Sequence, residues 1–443
     1  MLTVQVFLNS FSFIILFIMA TESVSIIVIG TLDTKLDEFL YLRSQILEHD
    51  PSVNVVLIDT GRSAVAHEAI SIPQAKVLEA SGYSDRNGNL ESLPRGEVIK
   101  TMAKGATQIV ERLQAHGKMH AIIGLGGSGG TSIAAAVMRA LPLLIPKLIV
   151  STVASGDTSS YIAESDITMM YSVVDIAGLN DVLRAVVDNA AAAIVGMAKT
   201  YAARMLRRKI GQERKSVGLT MFGVTTTAVD NVREWLRCQG QYEAYVFHAT
   251  GAGGRAMERL IREGQLDAVV DLTTTELADE LVGGVFSAGE DRLTAAAKAG
   301  IPQVVSVGAL DMVNFGPRDT VPSKFQNRTL FEHNPSVTLM RTTPQECEEL
   351  GTRLAQRLRD NCIQPKLTEV WLPLRGVSAI SVEGQPFYDR AADEALFAAV
   401  KKGLDGSGIK VVEADKPIND ALLGEDIGRR IMELVQLYEE MHH

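Results

Sequence analysis

The feature that most constrains this chain is an alternation. Short runs rich in valine and isoleucine, closed by Gly, Ser, Thr or Asp, are each followed by an amphipathic segment of helical length. Runs such as Ile26-Ile27-Val28-Ile29 and Ala121-Ile122-Ile123 show no polar alternation, which suits strands buried on both faces. Strand and helix at this spacing imply a parallel sheet with helices on both sides.

In the first half the pattern predicts strands at 25–30, 53–59, 120–124, 147–152 and 168–175. Helices are predicted at 35–48, 97–116, 130–140 and about 180–206. A polar, turn-rich loop occupies 83–96. The stretch 199–215 then holds seven basic residues (Lys199, Arg204, Arg207, Arg208, Lys209, Arg214 and Lys215) and no strand-like run. It reads as a solvated helix end and linker, with an anionic-partner patch as the sharper alternative. The series restarts with strands at 216–223, 242–251, 266–276, 301–309, 335–343 and 367–376, and helices at 226–237 and 253–263. The expectation is α/β: two Rossmann-like domains, 19–210 and 211–443, with mostly parallel sheets flanked by helices and a cleft between them.

Residues 1–18 form a hydrophobic leader, but no Lys or Arg precedes Lys35, and Asn9, Ser10 and Ser12 interrupt the run. About half the apolar length of a bilayer span remains. An upstream extension before a start at Met19 is expected; a targeting or membrane-contacting segment is the alternative. With 43 Lys+Arg against 53 Asp+Glu, general nucleic-acid binding is not expected. Three cysteines without CxxC spacing argue against a disulfide framework or zinc site and for a cytoplasmic protein.

Glycine-rich loops carry the chemistry. Gly126, Gly127, Ser128, Gly129, Gly130 and Thr131 run from a strand straight into a helix, where close backbone approach, the first N–H groups and the helix dipole favour an anion. Ser128 and Thr131 offer hydroxyls. No Lys follows the glycines, so this is not a Walker A loop, and no acid closes the next strand as a dinucleotide site would require. The loop also meets GxSxG formally, with Ser128 as nucleophile, in a run where short patterns arise by chance. Tight helix–sheet packing alone is the plainer reading.

Other strand ends add polar groups. Thr31, Asp33 and Lys35 follow the first strand: Lys35 suits a phosphate and Asp33 a magnesium-bound water, or both belong to a helix start with Thr34 or Asp33 as cap. Asp157 and Thr158 lie in a third loop, 155–159. In the second half, Gly251-Ala252-Gly253-Gly254-Arg255-Ala256 meets GxGxx(G/A), and Asp271 ends the next strand, as in nicotinamide-dinucleotide sites. Arg255 and His248 suit another anion equally; a structural turn is the plain alternative. His248, Arg255, Glu276 and Asp311 are the catalytic candidates, with His333 as a further acid–base group. No spacing fixes a role, and HExxH and EF-hand patterns are absent from the sequence.

As a set, GTLDTK, GLGGSGGT, STVASGDT, YSVVDIAGLN, FHATGAGGRAME, DLTTTEL, GALDMVNF, HNPSVTLMRTT and GQPFYD resemble an uncharacterised protein family. Its best-known relative is the amino-terminal, ATP-binding region of the tomato mosaic virus resistance protein. The resemblance runs from about Ser25 to the carboxyl end. It implies two Rossmann-like subdomains, ATP binding and a homodimer. The longer plant relative carries a further barrel-like domain, so a separate barrel-domain chain is an expected partner. ATP, with magnesium, is assigned on loop chemistry to Thr31, Asp33, Lys35, the residues from Gly126 to Thr131, Asp157 and Thr158. Three functions remain open: an ATP-binding protein that uses the nucleotide on an unknown substrate, an NAD-dependent oxidoreductase using 251–256, and a non-enzymatic nucleotide-gated interaction module.

Overall fold

The computed structural model describes residues 24–83, 90–208 and 214–442. The leader at 1–18, the start at Met19, residues 84–89 of the polar loop and residues 209–213 of the basic stretch lie outside the described residues. The chain divides into two compact units, Met1–Gln212 and Glu213–His443.

The first unit runs β1 (Ser25–Gly30), α1 (Leu32–His49), β2 (Asn54–Asp59), α2 (Gln74–Ser81), α3 (Arg95–Ala115), β3 (Ala121–Gly126), α4 (Ser128–Ala140), β4 (Lys147–Ser151), β5 (Thr168–Tyr171) and α5 (Asp181–Arg208). Its strands form one parallel sheet ordered β2-β1-β3-β4-β5. The continuous apolar runs work as the two-faced strands they resemble. Ile26 and Val28 pack with Phe39 and Leu42 of α1 and Val187 and Ile194 of α5. Ile27 and Ile29 pack on the other face, with Met102 and Val110 of α3 and Ile133 and Val137 of α4. Helix α1 begins three residues before its expected start, because Asp59 Oδ1 accepts the Leu32 N–H at 3.3 Å and anchors the first turn. Lys35 departs from helical geometry there, with φ −142° and ψ 29°.

The second unit runs β6 (Lys215–Met221), α6 (Thr226–Cys238), β7 (Tyr242–His248), α7 (Ala252–Arg262), β8 (Ala268–Thr273), α8 (Glu276–Val282), β9 (Gln303–Gly308), β10 (Met312–Phe315), β11 (Leu330–Asn334), β12 (Val337–Arg341), α9 (Pro344–Asn361), β13 (Thr368–Pro373), α10 (Arg390–Leu404), β14 (Lys410–Ala414) and α11 (Ala421–His442). Six strands form a parallel sheet ordered β14-β13-β9-β8-β6-β7. Read from β7, this repeats the order of the first sheet and adds a sixth strand. Helices α6 and α11 cover one face through Val232, Leu236, Ile427 and Ile431. On the other side α9 and α10 pack Leu354, Leu358, Leu396 and Val400 against Val305 and Val370.

One expected strand belongs elsewhere. The 335–343 run supplies β12, which pairs antiparallel with β10 and β11 in a separate three-stranded sheet. The short turn between Asn334 and Val337 reverses the chain at once, and so tight a connection joins only antiparallel neighbours. Strand β14 went unread, because an edge strand with exposed lysine and glutamate lacks the apolar run that marks the others.

Candidate functional site

The order β2-β1-β3 sends α1 to one face of the first sheet and α4 to the other. Loops leaving β1 and β3 therefore diverge at the carboxyl ends of those strands, where such sheets ordinarily form the crevice that takes a ligand. Two of the three first-half loops named from sequence leave from these strand ends.

Gly126 closes β3, and α4 starts at Ser128 after Gly127, which is extended at φ −74° and ψ −166°. Among the described residues no side chain caps this helix. Gly127 is half-buried and Ser128 exposed. A Cβ on Gly127 would meet only the Thr152 hydroxyl, at 3.7 Å, so the fold itself does not demand glycine here. A Cβ on Gly126 would sit 2.9 Å from the Gly130 Cα, so that glycine serves packing. Thr131 needs correcting as a ligand donor. It is fully buried, and its hydroxyl lies 2.7 Å from Ser151 Oγ and donates to the Gly126 carbonyl.

The loop after β1 is similarly committed. Asp33 Oδ2 accepts the N–H groups of Arg62 (2.9 Å) and Ser63 (3.2 Å), tying α1 to the loop after β2. Lys35 Nζ donates to the Ile176 carbonyl beyond β5, and Glu38 accepts the Gly178 N–H on the same segment. Thr31 is half-buried, with Oγ1 3.4 Å from Thr34 Oγ1. Lys35 and one oxygen of Asp33 are thus committed to the frame, whereas Asp33 Oδ1 is buried without a hydrogen-bond partner among the described residues. Asp157 is exposed and accepts the Ser159 N–H at 2.9 Å; the Ser159 hydroxyl, and after it that N–H, hold its carboxyl below the usual range. Thr158 precedes the one-turn helix Ser159–Ile162 without capping it.

In the second unit the corresponding groups are consumed internally. Glu276 Oε1 accepts the N–H groups of Gly251 (2.6 Å) and Gly254 (3.1 Å), so a carboxylate of the chain fills the start of α7. Asp271 pairs through both oxygens with Arg292 and accepts the Thr220 hydroxyl. The N–H groups and the acid that a dinucleotide would need are both occupied. Arg292 is fully buried and also meets Glu276 and Glu258. Burial pushes Glu276 and Glu258 upward, against the pull of Arg292. Arg255 donates to the Ser287 carbonyl at 2.9 Å. Asp311 is fully buried, pushed up to about 6, and accepts the Ser378 hydroxyl at 2.8 Å. Glu276 and Asp311 are therefore interior groups, not exposed acids.

Two candidates share a neighbour. His248 stands edge-on to Phe222 with centroids 5.5 Å apart, and His333 stacks on the same ring at 6.4 Å. Partial burial lowers the His248 pKa. Sequence reasoning named both histidines but not their shared partner, because β7 and β11 lie far apart in the chain. It placed Arg292 in a polar loop, 287–292, without a role, because its charge looks like ordinary surface until three carboxylates surround it.

Among the described residues no helix is long and apolar enough to cross a membrane. The model of an uncharacterised protein family, UPF0261, matches through its N-terminal domain over residues 24–203 and its C-terminal domain over residues 214–435. A UPF0261 protein of Clostridium tetani is 45% identical over 411 residues, covering 93% of this chain and 99% of that protein. One from Mesorhizobium japonicum is 44% identical over 396 residues, 89% of this chain and 95% of the relative. The ToMV resistance protein Tm-1 of Solanum lycopersicum is 41% identical over 388 residues, which are 85% of this chain and 51% of the tomato protein. This chain is a member of the uncharacterised UPF0261 protein family.

Proposed function

We propose that the first unit binds ATP, with the phosphates at the start of α4 between the β1 and β3 loops. One observation carries the reading: a helix start without a side-chain cap among the described residues, opened by a glycine whose Cβ would meet nothing closer than 3.7 Å, lies at the point where the sheet order reverses. Its counterpart at α7 is already filled by Glu276. The choice of ATP rests on the resemblance to the ATP-binding region of the tomato protein.

Phosphate oxygens would meet the backbone of Gly127, Ser128, Gly129 and Gly130, while Asp33, Lys35 and Thr131 hold the surrounding loops. Among the described residues no three His, Cys, Asp or Glu side chains are placed to hold a metal. Magnesium is accordingly proposed to enter with the phosphates, whose charge it would offset. A cytoplasmic homodimer, working alone or with a separate barrel-domain chain, completes the proposal.

Calorimetric titration of the full chain with ATP and magnesium tests it. Binding should weaken at least tenfold in Gly127→Val, about 1.4 kcal/mol. Unchanged affinity would overturn the placement. Release of phosphate from bound ATP, tracked in the same samples, separates an ATP-using enzyme from a nucleotide-gated module.

A further inference from the structure

Arg95 was not among the residues singled out from sequence, yet it stands beside the proposed phosphate site. It opens α3, and its guanidinium lies against the start of α4. A Cβ on Gly129 would come within 3.0 Å of Arg95 Nη2 and 3.6 Å of its Nε. Gly129 thus leaves the room that this guanidinium occupies. The side chain is exposed and has no hydrogen bond or ion pair among the described residues. Glu97, the nearest acid along the helix, pairs with Lys100 at 3.0 Å instead.

A second group lies at the same edge of the sheet. Thr60 extends β2 by one residue and donates its N–H to the Gly30 carbonyl at 2.8 Å. It is 1% exposed, and its hydroxyl has no hydrogen-bond partner among the described residues. Ile58, two residues earlier, packs in the cluster beneath α3 and α4, so strand alternation turns Thr60 to that side as well. A buried hydroxyl left unpaired is costly, and an oxygen-rich ligand at this edge would satisfy it.

We infer that Arg95 is the guanidinium that grips the phosphate oxygens held at the start of α4, with the Thr60 hydroxyl on the same side of the sheet. This rests on the ATP reading and names the cation that reading lacks, since Lys35 is engaged by the Ile176 carbonyl. Guanidinium delivers two parallel donors to a phosphate, which an ammonium cannot imitate, and Arg95 adds a full charge to the partial charge of the helix end.

The test uses the full chain, titrated with ATP plus magnesium, with sodium tripolyphosphate and with adenosine. In Arg95→Ala, ATP and tripolyphosphate binding should fall at least tenfold, adenosine binding should not change, and the thermal unfolding midpoint should stay at the wild-type value. Arg95→Lys should recover only part of the loss. Wild-type affinity for ATP in Arg95→Ala would overturn the inference and leave the ATP reading intact. If the wild type binds tripolyphosphate but not ATP, the nucleotide reading fails, and Arg95 is judged on the tripolyphosphate loss alone. If the wild type binds neither, both fall.

Discussion

Glu276 Oε2 lies 2.6 Å from Nε of the fully buried Arg292, while the other oxygen of Glu276 accepts the N–H groups that open α7. One guanidinium therefore balances three buried carboxylates: Glu276, Asp271 and Glu258. Removing it leaves them without a countercharge. Arg292→Met is expected to destabilise the second unit by about 3–5 kcal/mol. Urea unfolding followed by circular dichroism would read this as a lowered midpoint, with the ATP isotherm of the first unit unaltered.

The glycines of the two helix starts should respond differently to alanine. A Cβ on Gly254 would collide with the Glu276 carboxylate, so Gly254→Ala should cost about 1–3 kcal/mol. Gly127→Ala has room and should change stability by less than about 0.5 kcal/mol. Thermal melts of the two variants check the contrast. Any loss of ATP affinity in Gly127→Ala then reports on ligand contact and not on folding.

Thr131 should behave as a structural residue. Thr131→Val removes a buried hydroxyl that contacts Ser151 and donates to Gly126, at a cost of about 1 kcal/mol. ATP affinity should stay within about twofold of wild type. A tenfold loss in calorimetry would return Thr131 to the ligand shell.

Asp311 gives stability a pH dependence. Burial lifts its carboxyl to about 6, above the ordinary value of 3.8, although Arg341 and Ser378 pull it down. A raised folded pKa means that the native state holds the proton more tightly than the unfolded chain. The stabilising contribution is then complete below about pH 4 and is lost as pH rises through about 6. Asp393, pushed up to about 7 by burial against the pull of Arg341, adds a slope of the same sign. Unfolding free energy should fall across this range, and fall less steeply in Asp311→Asn, as measured by urea titrations at several pH values.

Much of the architecture was legible in the residues. Runs such as 26–29 and 121–123 are apolar at every position, which only a strand covered on both faces tolerates, so the parallel sheets follow from local composition. Edge strand β14 escaped because one exposed face erases that signal, and β12 was misplaced because its run does not say which partner it meets. The candidate site was legible as chemistry but not as occupancy. Gly126 to Thr131 and Gly251 to Ala256 look alike in sequence, and His248 gives no sign that it shares Phe222 with His333.

By itself the sequence determined the strands that are apolar on both faces and the helices that follow several of them, and that glycine-rich turns open helices at strand ends. Those outcomes depend on neighbours within a few residues, through burial on two faces and backbone freedom. Tertiary structure alone decided which helix start stays open. Glu276 reaches Gly251 and Gly254 across more than twenty residues, and the guanidinium of Arg95 arrives beside Gly129 from another helix. Whether an N–H group meets an internal carboxylate or faces the crevice depends on such distant side chains, which only the folded sheet order brings together.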